Sequence, residues 1–377
     1  MTRVHDSLIL RPEPRRPDRP LLVLAGHIDT VPIGDALDPE LVDGVVIGRG
    51  ASDMKSGIAV MLALVEELDA AEGFADRAFV FYAGEEGSAR GNDLPRVFQA
   101  EPWIKEAGLA IVLEPTSNHL ELGCNGSVHI RVTFHGRACH SARPWQGRHP
   151  MLEAIPWLTE TLRHPIRVAE VEGVVYREVV TITTIHAGEA RNVVPATLQV
   201  NLNLRYAPDR TPEEAEQLAL SLCPHPGDPP GEAPRVTCSP MDHSPAGRID
   251  QSAPLYRHVL EATGLPRRGK QGWTDVARFT AAGVPALNWG PGDPEFAHTR
   301  HEQVSVAEAE ACLEAMRAYL LGPGPDRSTL TGGNASAVGE SRQFQGQHGA
   351  GVTDRTTRSE STAGEAAGLD PSPDAGR

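Results

Sequence analysis

Large aromatic side chains are scarce in this sequence: Phe, Trp and Tyr make up 5% of its 377 residues. Any core must be built mainly from aliphatic groups, and a hydrophobic content of 40% supplies them. Long apolar runs are missing too. None approaches the ~18–20 residues of a spanning helix, which excludes a helical membrane protein. The first twenty residues carry Arg and Pro but no apolar stretch, so they do not read as a secretory signal. Basic residues are in deficit, 35 against 50 acidic, for a formal charge of −15. That balance disfavours nucleic acid and anionic membranes as partners, and no basic stripe offsets it. The five cysteines (Cys124, Cys139, Cys223, Cys238 and Cys312) form no CxxC pair. A scattered, odd set predicts reduced thiols in a cytoplasm and argues against a cysteine-based zinc site.

A chain of this length predicts two domains and a tail. Residues 21–24 (LLVL), 78–82 (AFVFY) and 109–113 (LAIVL) are short continuous apolar runs, the mark of strands buried on both faces of a parallel sheet. Residues 56–68 have helical spacing. Strands alternating with helices predict an α/β fold whose ligands collect at the strand ends. From Gly123 the character changes. Residues 128–134 (VHIRVTF) and 198–204 (LQVNLNL) alternate apolar and polar side chains, as half-exposed antiparallel strands do. With helices expected at 150–162 and 212–222, this region reads as an α+β domain inserted into the first. The α/β pattern returns from Ala253, with a last helix over 307–321. The predicted division is 1–124 and 244–322 for the first domain, 125–243 for the insert and 323–377 for a disordered tail too poor in apolar residues to order itself.

The chemistry-bearing residues fall just after the apolar runs or in Gly-rich loops: His27 with Asp29, Asp53, the pair Glu85-Glu86, Glu114, and His298. Singly, each has a bland reading as a loop, turn or cap residue. Their joint placement at strand ends points to one shared cleft. Histidines with carboxylates form a nitrogen and oxygen ligand set suited to zinc, cobalt or manganese. There are more carboxylates than one tetrahedral ion needs, which suggests a two-metal site with a bridging carboxylate.

Gly26-His27-Ile28-Asp29-Thr30-Val31-Pro32, Gly48-Arg49-Gly50-Ala51-Ser52-Asp53-Met54-Lys55-Ser56-Gly57 and Glu85-Glu86-Gly87 resemble, in matching order, the zinc-dependent aminoacylase, acetylornithine deacetylase and carboxypeptidase family. The resemblance runs from about residue 21 to 321. Asn192-Val193-Val194-Pro195, Asn203-Leu204-Arg205-Tyr206, Gly272 to Phe279 (GWTDVARF) and Gly290-Pro291-Gly292-Asp293-Pro294 leading to Ala297-His298 are similar to the succinyl-diaminopimelate desuccinylase branch.

The resemblance implies an α/β, mostly parallel-sheet zinc-peptidase domain with an inserted α+β dimerisation lid. It implies two zinc ions per chain, for which cobalt can substitute. Asp53 would bridge them, with His27 and Glu114 completing one site and Glu86 and His298 the other. Asp29 would hydrogen-bond the far nitrogen of His27 and fix its tautomer. Glu85 would be the general base, taking a proton from the attacking water and passing it to the leaving amine. His140 would reach the active site of a partner subunit and stabilise the oxyanion. Arg205, Asn192, Arg143, Thr274 and Arg278 are the implied substrate contacts, although a structural ion pair for Arg205 stays open. The implied activity is hydrolysis of a small N-acyl amino acid by a cytoplasmic homodimer, with N-succinyl-LL-2,6-diaminopimelate as the expected substrate in lysine biosynthesis. Other deacylases and carboxypeptidases of the family remain alternatives, as does a non-catalytic metal- or peptide-binding homologue. Two departures stand out. Only about twenty residues precede the first apolar strand, where family members usually have a further helix and strand. Cys124-Asn125 also stand before Gly126-Ser127, where several desuccinylases carry arginine.

Overall fold

The computed structural model describes residues 1–69, 72–87, 90–225 and 233–326. The expected disordered tail lies outside the described residues from 327 onward. The strand Leu21–His27 is buried along its whole length. Leu22 and Leu24 pack into a core on one side, with Met61, Phe79 and Ile111. Leu21, Val23 and Ala25 pack into a second core on the other side, with Val80, Val97 and Val112. This two-sided burial is why the segment reads as an unbroken apolar run. Fully burying one such side chain stabilises by roughly 1.5–3 kcal/mol.

Leu21–His27 pairs in parallel with Asp76–Tyr82 on one side and Leu109–Val112 on the other. These are the central strands of an eight-stranded sheet that also takes in Ala286–Asn288, Leu120–Leu122 and Arg267–Gly269. Four of its seven pairings are parallel. At one edge, Thr2–Val4 and Ser7–Leu10 form a hairpin that adds antiparallel to Asp76–Tyr82. Sequence pattern assigns no strand there, because Arg and Pro residues surround a run of only four buried or half-buried side chains. The helices Ser56–Glu67 and Val306–Leu321 cover one face.

Between two stretches of that sheet the chain builds a second, separate sheet of five antiparallel strands. Their order is Arg167–Val171, Val174–His186, Thr197–Tyr206, Gly126–His135 and Val236–Ser244. Val128, Ile130, Val132 and Phe134 pack with Leu198, Val200, Leu202 and Leu204 beneath the helices Met151–Thr161 and Pro212–Ser221. The second helix begins in a capping box, Thr211 with Glu214, followed by Pro212. The opposite face of the sheet is polar, as the period-two alternation requires. No helix among the described residues is long and apolar enough to cross a membrane.

Candidate metal centre and its cleft

Three adjacent parallel strands end at one place, so the residues just beyond their carboxyl ends meet there. His27 is the last residue of Leu21–His27, Glu85 and Glu86 come after Asp76–Tyr82, and Glu114 comes after Leu109–Val112. Asp53 comes from the turn leading into the Ser56–Glu67 helix, and His298 from the loop before Gln303–Ser305. The turn into the carboxylate pair depends on Gly84, which has φ 81°; a side chain there would also lie 2.2 Å from the carbonyl oxygen of Gly91. His298 itself has φ 63°. A left-handed conformation is uncommon for a non-glycine residue and concentrates at functional sites.

The two oxygens of Asp53 face different histidines. His27 Nε2 lies 3.1 Å from Oδ1, and His298 Nε2 lies 3.3 Å from Oδ2. Glu114 Oε1 is 3.9 Å from His27 Nε2, and Glu86 Oε1 is 3.0 Å from His298 Nε2. Ligand atoms of His27, Asp53 and Glu114 form one compact group, and those of Asp53, Glu86 and His298 another. Glu85 groups with His27 and Glu86.

The residues fit two cations. Glu114 Oε1 is buried and has no hydrogen-bond partner among the described residues, an expensive arrangement unless something positive meets it. The cluster gathers four carboxylates (Asp53, Glu85, Glu86, Glu114) and two imidazoles, so two divalent ions would balance four negative charges. Burial and the charge of Asp53 push the Glu114 carboxyl up to about 8. Burial and the charge of Glu114 likewise raise Glu85 well above the carboxylate range. Burial pulls His27 down, but its hydrogen bond to Asp53 and the charges of Glu114 and Glu85 outweigh this and raise it. His298 is pushed up to about 10 by its hydrogen bonds to Asp53 and Glu86.

Two surrounding carboxylates organise the loops. Asp29 Oδ1 accepts from the backbone N–H groups of Gly84 and Glu85, and Oδ2 from that of Glu86. The His27 Nδ1 contact is made instead with the Asp29 backbone carbonyl at 3.0 Å, while the carboxylate stands 3.8 Å away. The expected orienting role therefore falls to the Asp29 main chain, and its side chain holds the Glu85-Glu86 loop. Glu302, which no sequence motif singles out from the charged stretch around it, is buried. It accepts from the N–H groups of Ser52 and Asp53 and pairs with Arg49 at 2.7 Å.

The centre opens into a cleft of about 540 Å³ lined by Asp53, Glu85, Glu86, Glu114 and His298 on one side. Ser127, His129, Arg205, Asp242 and Ser244, from the polar face of the five-stranded sheet, line the other, with Gln271, Gly272 and Trp273 between. Arg205 Nε donates to Asn203 Oδ1, and its guanidinium makes no ion pair among the described residues. Burial holds that guanidinium below its usual range. Thr274 and Arg278, expected to touch substrate, do not line the cleft. The Thr274 hydroxyl donates to Asn288 Oδ1 in the interior. Arg278 pairs with buried Asp275 at 2.6 Å and lies over the Trp273 ring. His140, Asn192 and Arg143 are exposed and sit together elsewhere. Cys139–His140 pairs with Val193–Val194, the Ser141 N–H donates to the Asn192 carbonyl, and that of Arg143 to the His140 carbonyl.

The sequence matches the model of peptidase family M20/M25/M40 over residues 23–322. A succinyl-diaminopimelate desuccinylase of Corynebacterium glutamicum is 36% identical over 301 residues, spanning 79% of this chain and 80% of its own. Among solved structures, the fold is similar to that of aminopeptidase PepT from Bacillus cereus, with a TM-score of 0.58 at 16% identity over 84% of this chain and 83% of that one. It is also similar to a dinuclear metal-binding M20 peptidase of Bacillus subtilis, with a TM-score of 0.54 at 15% identity over 84% and 83%. A centre of histidines and carboxylates at the ends of parallel strands, together with a family match across nearly all the described residues, identifies the chain as a hydrolase belonging to peptidase family M20/M25/M40.

Proposed function

We propose that this chain hydrolyses N-succinyl-LL-2,6-diaminopimelate to succinate and LL-2,6-diaminopimelate, as a cytoplasmic homodimer with two zinc ions per chain. The observation that carries hydrolysis is Asp53, whose two oxygens face two separate ligand groups. The Corynebacterium glutamicum relative supports the substrate. His27 and Glu114 would hold one ion, Glu86 and His298 the other, with Asp53 between; cobalt suits the same donors. Bound there, two such ions would supply an acidified water and a polarised amide carbonyl.

The remaining work belongs to the chain. Glu85, next to a ligand yet free of one, takes the proton of the attacking water and delivers it to the leaving nitrogen. The Asp29 carboxylate keeps Glu85 and Glu86 aimed through three backbone N–H groups. Arg205, substantially desolvated and without an acidic partner among the described residues, receives a substrate carboxylate in two parallel hydrogen bonds. Residues 125–243 act as lid and dimerisation domain. Within one chain His140, Asn192 and Arg143 do not line the cleft, so they serve the partner's site, with His140 donating to the oxyanion.

One observation favours a different acyl group. Cys124 is buried and bonded to the Thr274 carbonyl, so no charge stands where several desuccinylases carry arginine. A panel of N-succinyl and N-acetyl amino acids, assayed with zinc-reconstituted protein, separates the readings. The highest kcat/KM is expected for N-succinyl-LL-2,6-diaminopimelate. An acetylated substrate hydrolysed faster would overturn the succinyl assignment, and no turnover of any member would overturn the enzyme.

A further inference from the structure

The strand Val236–Ser244 carries an irregularity that changes which side chains face the cleft. Val236, Cys238 and Pro240 lie opposite Phe134, Val132 and Ile130, all core-facing. A regular strand would continue this alternation and bring Asp242 opposite Val128, on the core face. Instead the register shifts between Pro240 and Asp242, leaving Met241 as the extra residue. A bulge of this kind re-aims every side chain after it. Asp242 now lies opposite His129, and Ser244 opposite Ser127, on the face that lines the cleft. His243 takes the other face, where it meets the Tyr206 hydroxyl.

Asp242 reaches that face with no hydrogen bond or ion pair among the described residues. Its nearest titratable neighbour across the strand is His129. Burial and the charge of Arg205 lower the His129 imidazole, outweighing the upward pull of its hydrogen bond to Asn201 and of the Asp242 charge, which disfavours the cation there. The ring is also occupied, with Asn201 Nδ2 at 3.0 Å from Nδ1 and Ser127 Oγ at 3.2 Å from Nε2. Arg131, one rung further along, shares a hollow with Asp242 but forms no ion pair with it among the described residues. Arg205 stands on the far side of the Gly126–His135 strand, opposite Ser127. One face therefore presents an unpaired anion and an unpaired cation on strands two apart and two residues out of register, about 12 Å between their backbone positions.

From this geometry we infer that Asp242 is a specificity residue, binding a distal ammonium on the amine half of the substrate while Arg205 holds a carboxylate. The inference rests on the hydrolase reading above and deepens it. With the long Arg205 side chain leaning across the face to cover the remaining distance, a diaminopimelate half can bridge the two. Its two substituted carbons are four carbon–carbon bonds apart, roughly 5 Å when extended, and a charged hydrogen bond of about 2.8 Å at each end brings the reach to roughly 10 Å. The site would favour amine halves that carry a second ammonium three methylenes from the scissile one, and disfavour those ending in plain hydrocarbon.

The test compares matched ligands that differ only in that ammonium. Wild type and Asp242→Asn, both zinc-reconstituted, are assayed on N-succinyl-LL-2,6-diaminopimelate against N-succinyl-L-2-aminopimelate, and on N-acetyl-L-ornithine against N-acetyl-L-norvaline. Calorimetry measures the binding of free LL-2,6-diaminopimelate against L-2-aminopimelate to the same proteins. Wild type should prefer the ammonium-bearing member about tenfold, through KM and Kd. Asp242→Asn should bring the ratio close to one, and Asp242→Glu should restore part of it. If only the acetyl pair is hydrolysed, the succinyl assignment fails while the ratio within that pair still judges Asp242. If nothing is hydrolysed, the calorimetric ratio judges it. A wild-type ratio near one, or the same ratio in Asp242→Asn, overturns the inference.

Discussion

The candidate metal centre and the exposed patch around His140 are built on opposite terms. At the centre, six side chains from five places in the sequence gather into three overlapping groups, with His27 and Glu114 buried. Their loops are held from behind by Asp29 and Glu302. Around His140, a two-residue strand pairing and a few main-chain bonds hold side chains that face solvent. The imidazole Nδ1 accepts from the N–H of Ala142, two residues away. The first region is complete within one chain. The second presents polar side chains to solvent, the arrangement that the proposed role in a partner's site requires.

The largest effect is expected from removing the residue that the Glu114 and His298 groups share. Asp53→Ala should take zinc-reconstituted protein from two ions per chain to none, with loss of all activity. Elemental analysis after gel filtration reads it, and one retained ion would mean that Asp53 does not bridge. Next in size, Glu85→Gln should keep both ions while kcat drops on the order of 10²–10⁴-fold, since only the proton acceptor is changed. Near-normal turnover would remove Glu85 from the chemistry. His140→Ala should cost ~10²–10³-fold, the loss of one oxyanion donor. Mixed with Glu85→Gln under verified subunit exchange, it should recover about a quarter of wild-type activity, because half of the two-fold dimers are hybrids with one intact site each. Exchange without recovery would put His140 outside the partner's site. The smallest effect is expected of Asp29→Asn, which weakens the acceptor for the Gly84–Glu86 N–H groups without touching a ligand. Zinc affinity should fall about 10–100-fold, measured by competition with a chelating dye, and an unchanged affinity would make Asp29 dispensable to the loop.

Legibility in the sequence divides along the same line. His27, Glu85, Glu86 and Glu114 are legible because a doubly buried parallel strand is a continuous apolar word, and the residue after it is marked by position alone. The alternating strands of the second sheet are legible for the same kind of reason, as with Val128 to Phe134. Glu302 is not, because a carboxylate that caps backbone N–H groups some 250 residues earlier leaves no local pattern. Asp242 is hidden by its bulge, since alternation read through Met241 assigns it to the wrong face. Thr274 and Arg278 are drawn in by the motif around them, whose polarity serves an interior hydrogen bond and a buried ion pair.

The Glu302 contact also sets an order of events. On a growing chain, the turn bearing Asp53 emerges long before the carboxylate that fixes its backbone, and before His298, the last candidate ligand. A nascent chain can form the first parallel strands early, since domains fold as their residues appear. It cannot hold the backbone at Asp53 in place until residue 302 has left the ribosome. The candidate metal centre is therefore closed by nearly the last described stretch of chain to be made, and a product terminated before it lacks both His298 and the carboxylate that fixes the Asp53 backbone.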